Sequence, residues 1–117
     1  MTQTFPLTLF VLVRALPGWL ALPRSERRGI AARIAPAFQG VTLRLFDCEA
    51  FSAMCSDIWM LEGPTAEELN TAMERLRDTV LFTIPYFEFV AILPAIEDGW
   101  QRFEASEAQK PIARGQT

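Results

Sequence analysis

The chain has 117 residues, half of them hydrophobic and 21% charged, a balance that excludes a disordered or fibrous protein and fits one domain with its own core. The net charge of −3 and a pI of about 4.9 exclude a partner held by polyanion electrostatics, so neither nucleic acid nor an anionic membrane is expected. Two cysteines, Cys48 and Cys55, are too few for a disulfide framework or a four-ligand zinc site.

The apolar stretch from Phe5 to Leu22 raises the question of a membrane span or secretory signal. Arg14, Pro17 and Gly18 interrupt it and no basic residue precedes it. A strand over Leu7 to Arg14, closed by the Pro17-Gly18 turn, explains the pattern better, and the protein is expected in the cytoplasm. Trp19, Leu20 and Leu22 lead into a helix with Pro23 in its first turn. Ile30, Ile34 and Phe38 recur at fourfold spacing along it, and Pro36 kinks or ends its last turn. Arg24, Arg27, Arg28 and Arg33 read as the solvated side of that helix.

Gly40 stops the helix, and Val41 to Glu49 reads as a second strand, with Ala50 to Ala53 as the turn and Met54 to Glu62 as the third strand. The cysteines flank this turn, so a bridge is conceivable if the strands bring them opposite each other; core thiols in a reducing compartment are the simpler reading. Gly63-Pro64 breaks the third strand. Thr65 then caps a second helix with Glu68 reaching back, and Leu69, Ala72, Met73 and Leu76 form its apolar stripe. Asp78 to Pro85 is a connection, and Tyr86 to Leu93 is the fourth strand. Residues 1–103 form the domain, and the polar stretch 104–117, without periodicity, is expected to be a mobile tail.

This order gives an α+β ferredoxin-like βαββαβ fold. Its four-stranded antiparallel sheet has the order 4-1-3-2, with two helices on one face. Strands one and four are apolar at nearly every position, whereas a sheet with one wet face should alternate. A second copy of the chain, packed sheet to sheet in a two-fold dimer, is the expected cover. Strand antiparallelism gathers Arg14, Asp47, Glu49, Ser56, Asp57, Tyr86 and Glu88 at one end of the sheet.

The runs Leu43 to Ala53, Cys55 to Ile58 and Pro85 to Glu88, with Trp19-Leu20-x-Leu22 followed by Glu26-Arg27, resemble the darcynin family of small bacterial proteins from strand one to about Trp100. The resemblance implies the dimeric α/β-barrel type of ferredoxin-like fold and brings no catalytic residue with it. That superfamily spans oxygenases, decarboxylases, haem proteins and binding modules, so function must come from the residues themselves.

There is no histidine, which removes a Ser-His-Asp triad, histidine ligation of haem or zinc, and the commonest general base. Neither a phosphate-cradling glycine loop nor a dinucleotide fingerprint is present, and no metal or cofactor is expected. Two readings of the polar sheet end stand side by side. In the first, the protein is a binding or regulatory module for a small apolar or carboxylate-bearing molecule. Arg14, Arg44, Asp57, Trp59, Tyr86 and Phe87 are its candidate contacts, and Phe89 and Met60 extend the apolar wall between the sheet and its cover. In the second it is a cofactor-independent oxygenase, isomerase or decarboxylase. Arg14 then binds a carboxylate or enolate oxygen while Asp57 or Glu88 removes a proton. Against both stands the plainer view that Arg14 and Arg44 neutralise nearby carboxylates, and that Cys55 is an inert core thiol unless it meets Arg14.

Overall fold

A computed structural model describes residues 6–109. In chain order it contains β1 (Leu7–Ala15), α1 (Pro17–Leu20), α2 (Arg24–Ile34), a 3-10 turn (Ala35–Phe38) and β2 (Thr42–Asp47). There follow β3 (Asp57–Gly63), α3 (Ala66–Arg77), α4 (Val80–Thr83), β4 (Phe87–Ala95) and α5 (Gly99–Gln109). The sheet order is β2-β3-β1-β4 with each neighbouring pair antiparallel, the order expected from the sequence.

Alternation along β1 separates the two faces. Leu9, Val11 and Val13 are buried, the last two completely, and point at the helices. They meet Leu69, Ala72, Met73 and Leu76 from α3, Ile30 from α2, and Trp59, Leu61 and Phe87 from the neighbouring strands. The α3 stripe forms because its apolar residues recur every three or four positions, and its start is fixed by the Thr65 hydroxyl, which accepts from the Glu68 N–H at 3.2 Å. Gly63 closes the core end of β3: a side-chain carbon there would lie 3.0 Å from Leu69 Cγ and 3.3 Å from Val41 Cγ1.

On the opposite face Phe10, Leu12, Ile58, Met60 and Ala91 are only half-buried, and Leu93 is 52% exposed. This face is apolar at its centre, as the composition of the inner strands requires. Arg14, Arg44, Glu62 and Glu88 stand around it.

Several local expectations are corrected. The Pro17-Gly18 turn is a helical turn, α1, with Pro17 at its first position, where a missing N–H costs nothing. Pro23 is the residue that caps α2 rather than its first-turn residue, whereas the helix does end at Pro36 as expected, in a 3-10 turn. The link between β2 and β3 is longer than the four-residue turn expected, because the chain after Cys48 turns back onto it: the Cys48 carbonyl accepts from the N–H groups of Phe51 and Ser52. Asp78 to Pro85 contains a further helical turn, α4. The chain after Glu104 continues as helix to Gln109, so α5 crosses the boundary expected at residue 103; the expected tail's residues 110–117 lie outside the described residues.

Candidate functional site

Helix α2 stands away from the β2 edge of the sheet. Leu43, Leu45 and Asp47 of β2 share the helix-facing side with Leu61, Trp59 and Asp57 of β3, to which they are paired. Yet Leu45 is 67% exposed although it faces inward. The space between is a cavity of about 430 Å³, within the range of small-molecule sites.

Its helical wall is a stripe of α2, Arg24, Arg27, Ala31 and Ile34, spaced three, four and three residues apart, extended by Leu20 of α1 and by Ala35 and Phe38 of the 3-10 turn. The sheet wall is Ala15, Leu43, Leu45, Trp59 and Phe87, and Trp19 and Leu81 complete the apolar lining. The aromatic residues brace one another, with ring centroids 5.0 Å apart for Trp19 and Phe87 and 5.4 Å for Trp59 and Phe87.

The polar groups divide by element. Arg24 and Arg27 belong to the helix wall. Arg27 turns back on the segment leading into α2, donating from Nε to the Leu22 carbonyl at 3.1 Å and from Nη2 to the Leu20 carbonyl at 2.8 Å. These two arginines therefore line the cavity, whereas the sequence places them on a solvated side. The signal that reveals them is their place in the same stripe as Ile34 and Phe38.

Asp47, Glu49 and Asp57 form the acidic rim on the sheet side. Asp57 is half-buried, and burial pushes its carboxyl above the usual aspartate value, an effect reinforced by the charges of Asp47 and Glu49. The Ser56 hydroxyl donates to Asp57 Oδ2 at 2.8 Å and opposes that rise. The same hydroxyl oxygen accepts from the Ala15 N–H at 2.8 Å, which locks the Ser56 side chain against β1. Asp57 can thus hold a proton more readily than a free carboxyl, and can donate or accept a hydrogen bond inside an apolar space.

Of the sequence-derived candidates, the structure brings Asp57, Trp59 and Phe87 together at this cavity. Arg14 is elsewhere: one guanidinium nitrogen pairs with Glu88 Oε1 at 2.5 Å and the other donates to the Met54 carbonyl at 2.5 Å, on the opposite face of the sheet. Arg14 therefore meets neither Asp57 nor Cys55. Arg44 also lies on that opposite face, over the Phe46 ring at 5.3 Å, and Tyr86 packs on Trp19 with its centroid 5.5 Å away. Met60 is on the far face, and Phe89 stacks on Phe82 at 4.1 Å outside the cavity lining. The cavity is bounded by the chain's own helix rather than lying between the sheet and a covering subunit. Among the described residues no group of histidine, cysteine or carboxylate side chains is arranged to hold a metal ion, and no helix is long and apolar enough to cross a membrane.

Residues 2–114 match the family model described as Darcynin, a domain of unknown function. The chain belongs to the darcynin family. It is 39% identical over 90 residues to Darcynin 1 of Acinetobacter baumannii, covering 74% of this chain and all of that relative. It is 49% identical over 69 residues to Darcynin of Chromobacterium violaceum, covering 59% of this chain and 87% of the relative. Its fold is similar to that of chlorite dismutase from Candidatus Nitrospira defluvii in complex with imidazole, with a TM-score of 0.67 and 12% identity over 81% of the chain. A putative chlorite dismutase aligns with a TM-score of 0.64 and 13% identity over 79% of the chain. The chain spans about two fifths of the length of those two structures, 41% and 43%. At such identity the likeness concerns the fold alone.

Proposed function

We propose that this protein is a small-molecule-binding module whose ligand occupies the cavity between α2 and the sheet. The single observation that carries the reading is the inward-facing yet 67% exposed Leu45, at the mouth of an aromatic-walled space that the chain does not fill by itself. The ligand has an apolar, ring-sized body against Trp19, Trp59 and Phe87, and a carboxylate turned toward Arg24 and Arg27. Asp57 supplies a hydrogen bond from the other wall.

A second reading, a cofactor-independent enzyme, is favoured by one observation, the raised proton affinity of Asp57 in a cleft. Of the three groups expected to work together there, only Asp57 lines the cavity, so the binding reading is preferred.

The test is titration of the intact protein with 2-naphthoate, followed by tryptophan fluorescence. Saturable quenching is expected, with binding about tenfold weaker for the uncharged methyl ester or for the Arg24→Ala, Arg27→Ala double variant. Linear, non-saturating quenching, or equal affinity for acid and ester, would overturn the carboxylate assignment.

The same reading includes a homodimer formed through the sheet face that carries Phe10, Leu12, Ile58, Met60 and Leu93. Apolar burial is worth about 25 cal/mol per Å², so covering this face stabilises an assembly. Sedimentation at micromolar concentration should give a dimer that Leu93→Lys converts to a folded monomer; a monomeric parent protein rejects the dimer. A cytoplasmic location belongs to this reading.

A further inference from the structure

Outside the ligand cavity, the most specific chemical juxtaposition lies in the β2–β3 connection. The Sγ atoms of Cys48 and Cys55 are 3.5 Å apart, and Cys48 Sγ also donates toward the Cys55 carbonyl at 3.4 Å. Both cysteines are unbridged.

This approach is built by the fold. The Cys48 N–H donates to the Ser56 carbonyl at 2.9 Å, extending the β2–β3 ladder by one step beyond the Asp47–Asp57 pair. The Ser56 N–H donates to the Val13 carbonyl of β1 at 2.9 Å, and the Phe51 and Ser52 N–H groups close the turn onto the Cys48 carbonyl. Both ends of the link are thereby tied to the sheet, and the sulfurs are diagonal neighbours on fixed backbone. A disulfide bond is about 2.0 Å long, so roughly 1.5 Å of closure separates the two states, within the reach of side-chain rotation.

We propose that Cys48 and Cys55 form a reversible thiol–disulfide couple, oxidised by low-molecular-weight disulfides. The half-exposed Cys48 is the sulfur a reagent can reach, and the buried Cys55 is the resolving partner. The Cys48 thiolate, having lost its proton to solvent, attacks one sulfur of the reagent. A protein–reagent mixed disulfide forms and one reagent thiolate leaves. Cys55, also deprotonated, attacks Cys48 Sγ, forming the intramolecular bond and expelling the second reagent thiolate. The two leaving thiolates take up the two protons, so the protein dithiol loses two electrons and one reagent disulfide becomes two thiols.

The test incubates the folded full chain with glutathione disulfide to completion at pH 9, because the Cys48 thiolate is scarce at neutral pH, followed by acid quenching, alkylation of remaining thiols and intact-mass and peptide analysis. The expected product has the mass of a single chain lacking two hydrogens, with a Cys48–Cys55 cross-link that dithiothreitol reduces completely to the dithiol. Cys55→Ser should instead stop at the glutathione adduct on Cys48. A wild-type chain that stays a dithiol, accumulates the Cys48 adduct, or cross-links between chains overturns the proposal. The wild-type measurement decides the matter even if a serine variant fails to fold.

Discussion

Arg14 and Asp57 are near neighbours in the β1–β3 ladder, yet their side chains emerge on opposite faces of the sheet, because Asp57 pairs with Val13 and side chains alternate. Arg14 follows Val13 by one residue and so points away from the cavity, to its ion pair with Glu88. Replacing Arg14 with alanine should therefore leave binding of an apolar carboxylate probe unchanged within about twofold. The pair is roughly half-exposed on both sides, so the loss of stability should not exceed about 1 kcal/mol in urea unfolding. A tenfold loss of probe affinity in this variant would place the site on the other face.

Asp57→Asn should raise the melting temperature at neutral pH. A carboxyl whose pKa is raised by folding binds its proton more tightly in the native state, so its ionisation at neutral pH costs stability that a neutral asparagine does not lose. The advantage should shrink as pH falls through the raised Asp57 value. It should vanish below the unfolded aspartate value of about 3.9, where both proteins are uncharged at this position. Thermal unfolding scans across this range check the sign. A variant that is less stable at pH 7 and gains relative stability in acid would refute burial as the dominant effect.

Much of this fold is legible in the residues, because its signals are local and periodic. The Leu69, Ala72, Met73 and Leu76 stripe and the Thr65 cap mark α3 without ambiguity, and the doubly apolar β1 and β4 fix the sheet's interior. The site was only half legible. Asp57, Trp59 and Phe87 are found by strand pairing, which places residues along the sheet axis. Pairing order alone does not say on which face a residue emerges, and it joined Arg14 to Asp57 where alternation separates them. Arg24 and Arg27 were missed for a different reason. Arginine at a helix start reads as solvated, and only the gap between α2 and β2 turns their stripe inward.

Gly63→Ala should cost about 1–3 kcal/mol, unusually much for the addition of one methyl group. The new carbon would meet Leu69 Cγ at 3.0 Å and Val41 Cγ1 at 3.3 Å, and Leu69 is fully buried against α3's other core residues, so it has little space to retreat. Chemical denaturation should show a lower midpoint with an unchanged slope. A neutral substitution would mean that Leu69 repacks freely.

Cys48 should alkylate slowly. Partial burial, its hydrogen bond with Cys55 and the neighbouring charges of Cys55, Asp57 and Asp47 push its thiol up to about 11 from 9.0. Below pH 9 its thiolate fraction is then about 100-fold smaller than that of an ordinary thiol, and iodoacetamide labelling of the native chain should slow correspondingly. The labelling rate should keep rising about tenfold per pH unit beyond pH 9, where an unperturbed cysteine levels off. A plateau at pH 9 would show that the thiol is free of these neighbours.

Leu45→Trp separates occupancy of the cavity from integrity of the fold. Leu45 faces the helices but is largely exposed, so its replacement removes no packed core contact and the unfolding free energy should change by less than about 1 kcal/mol. An indole at this position adds bulk to the space between α2 and β2 that Ala31 and Ile34 also line. Affinity for 2-naphthoate should fall at least about tenfold, since the bulky residue competes for the volume the ligand's ring requires. A folded Leu45→Trp protein that binds the probe as tightly as its parent would move the ligand out of this cavity, and with it the roles assigned to Asp57, Arg24 and Arg27.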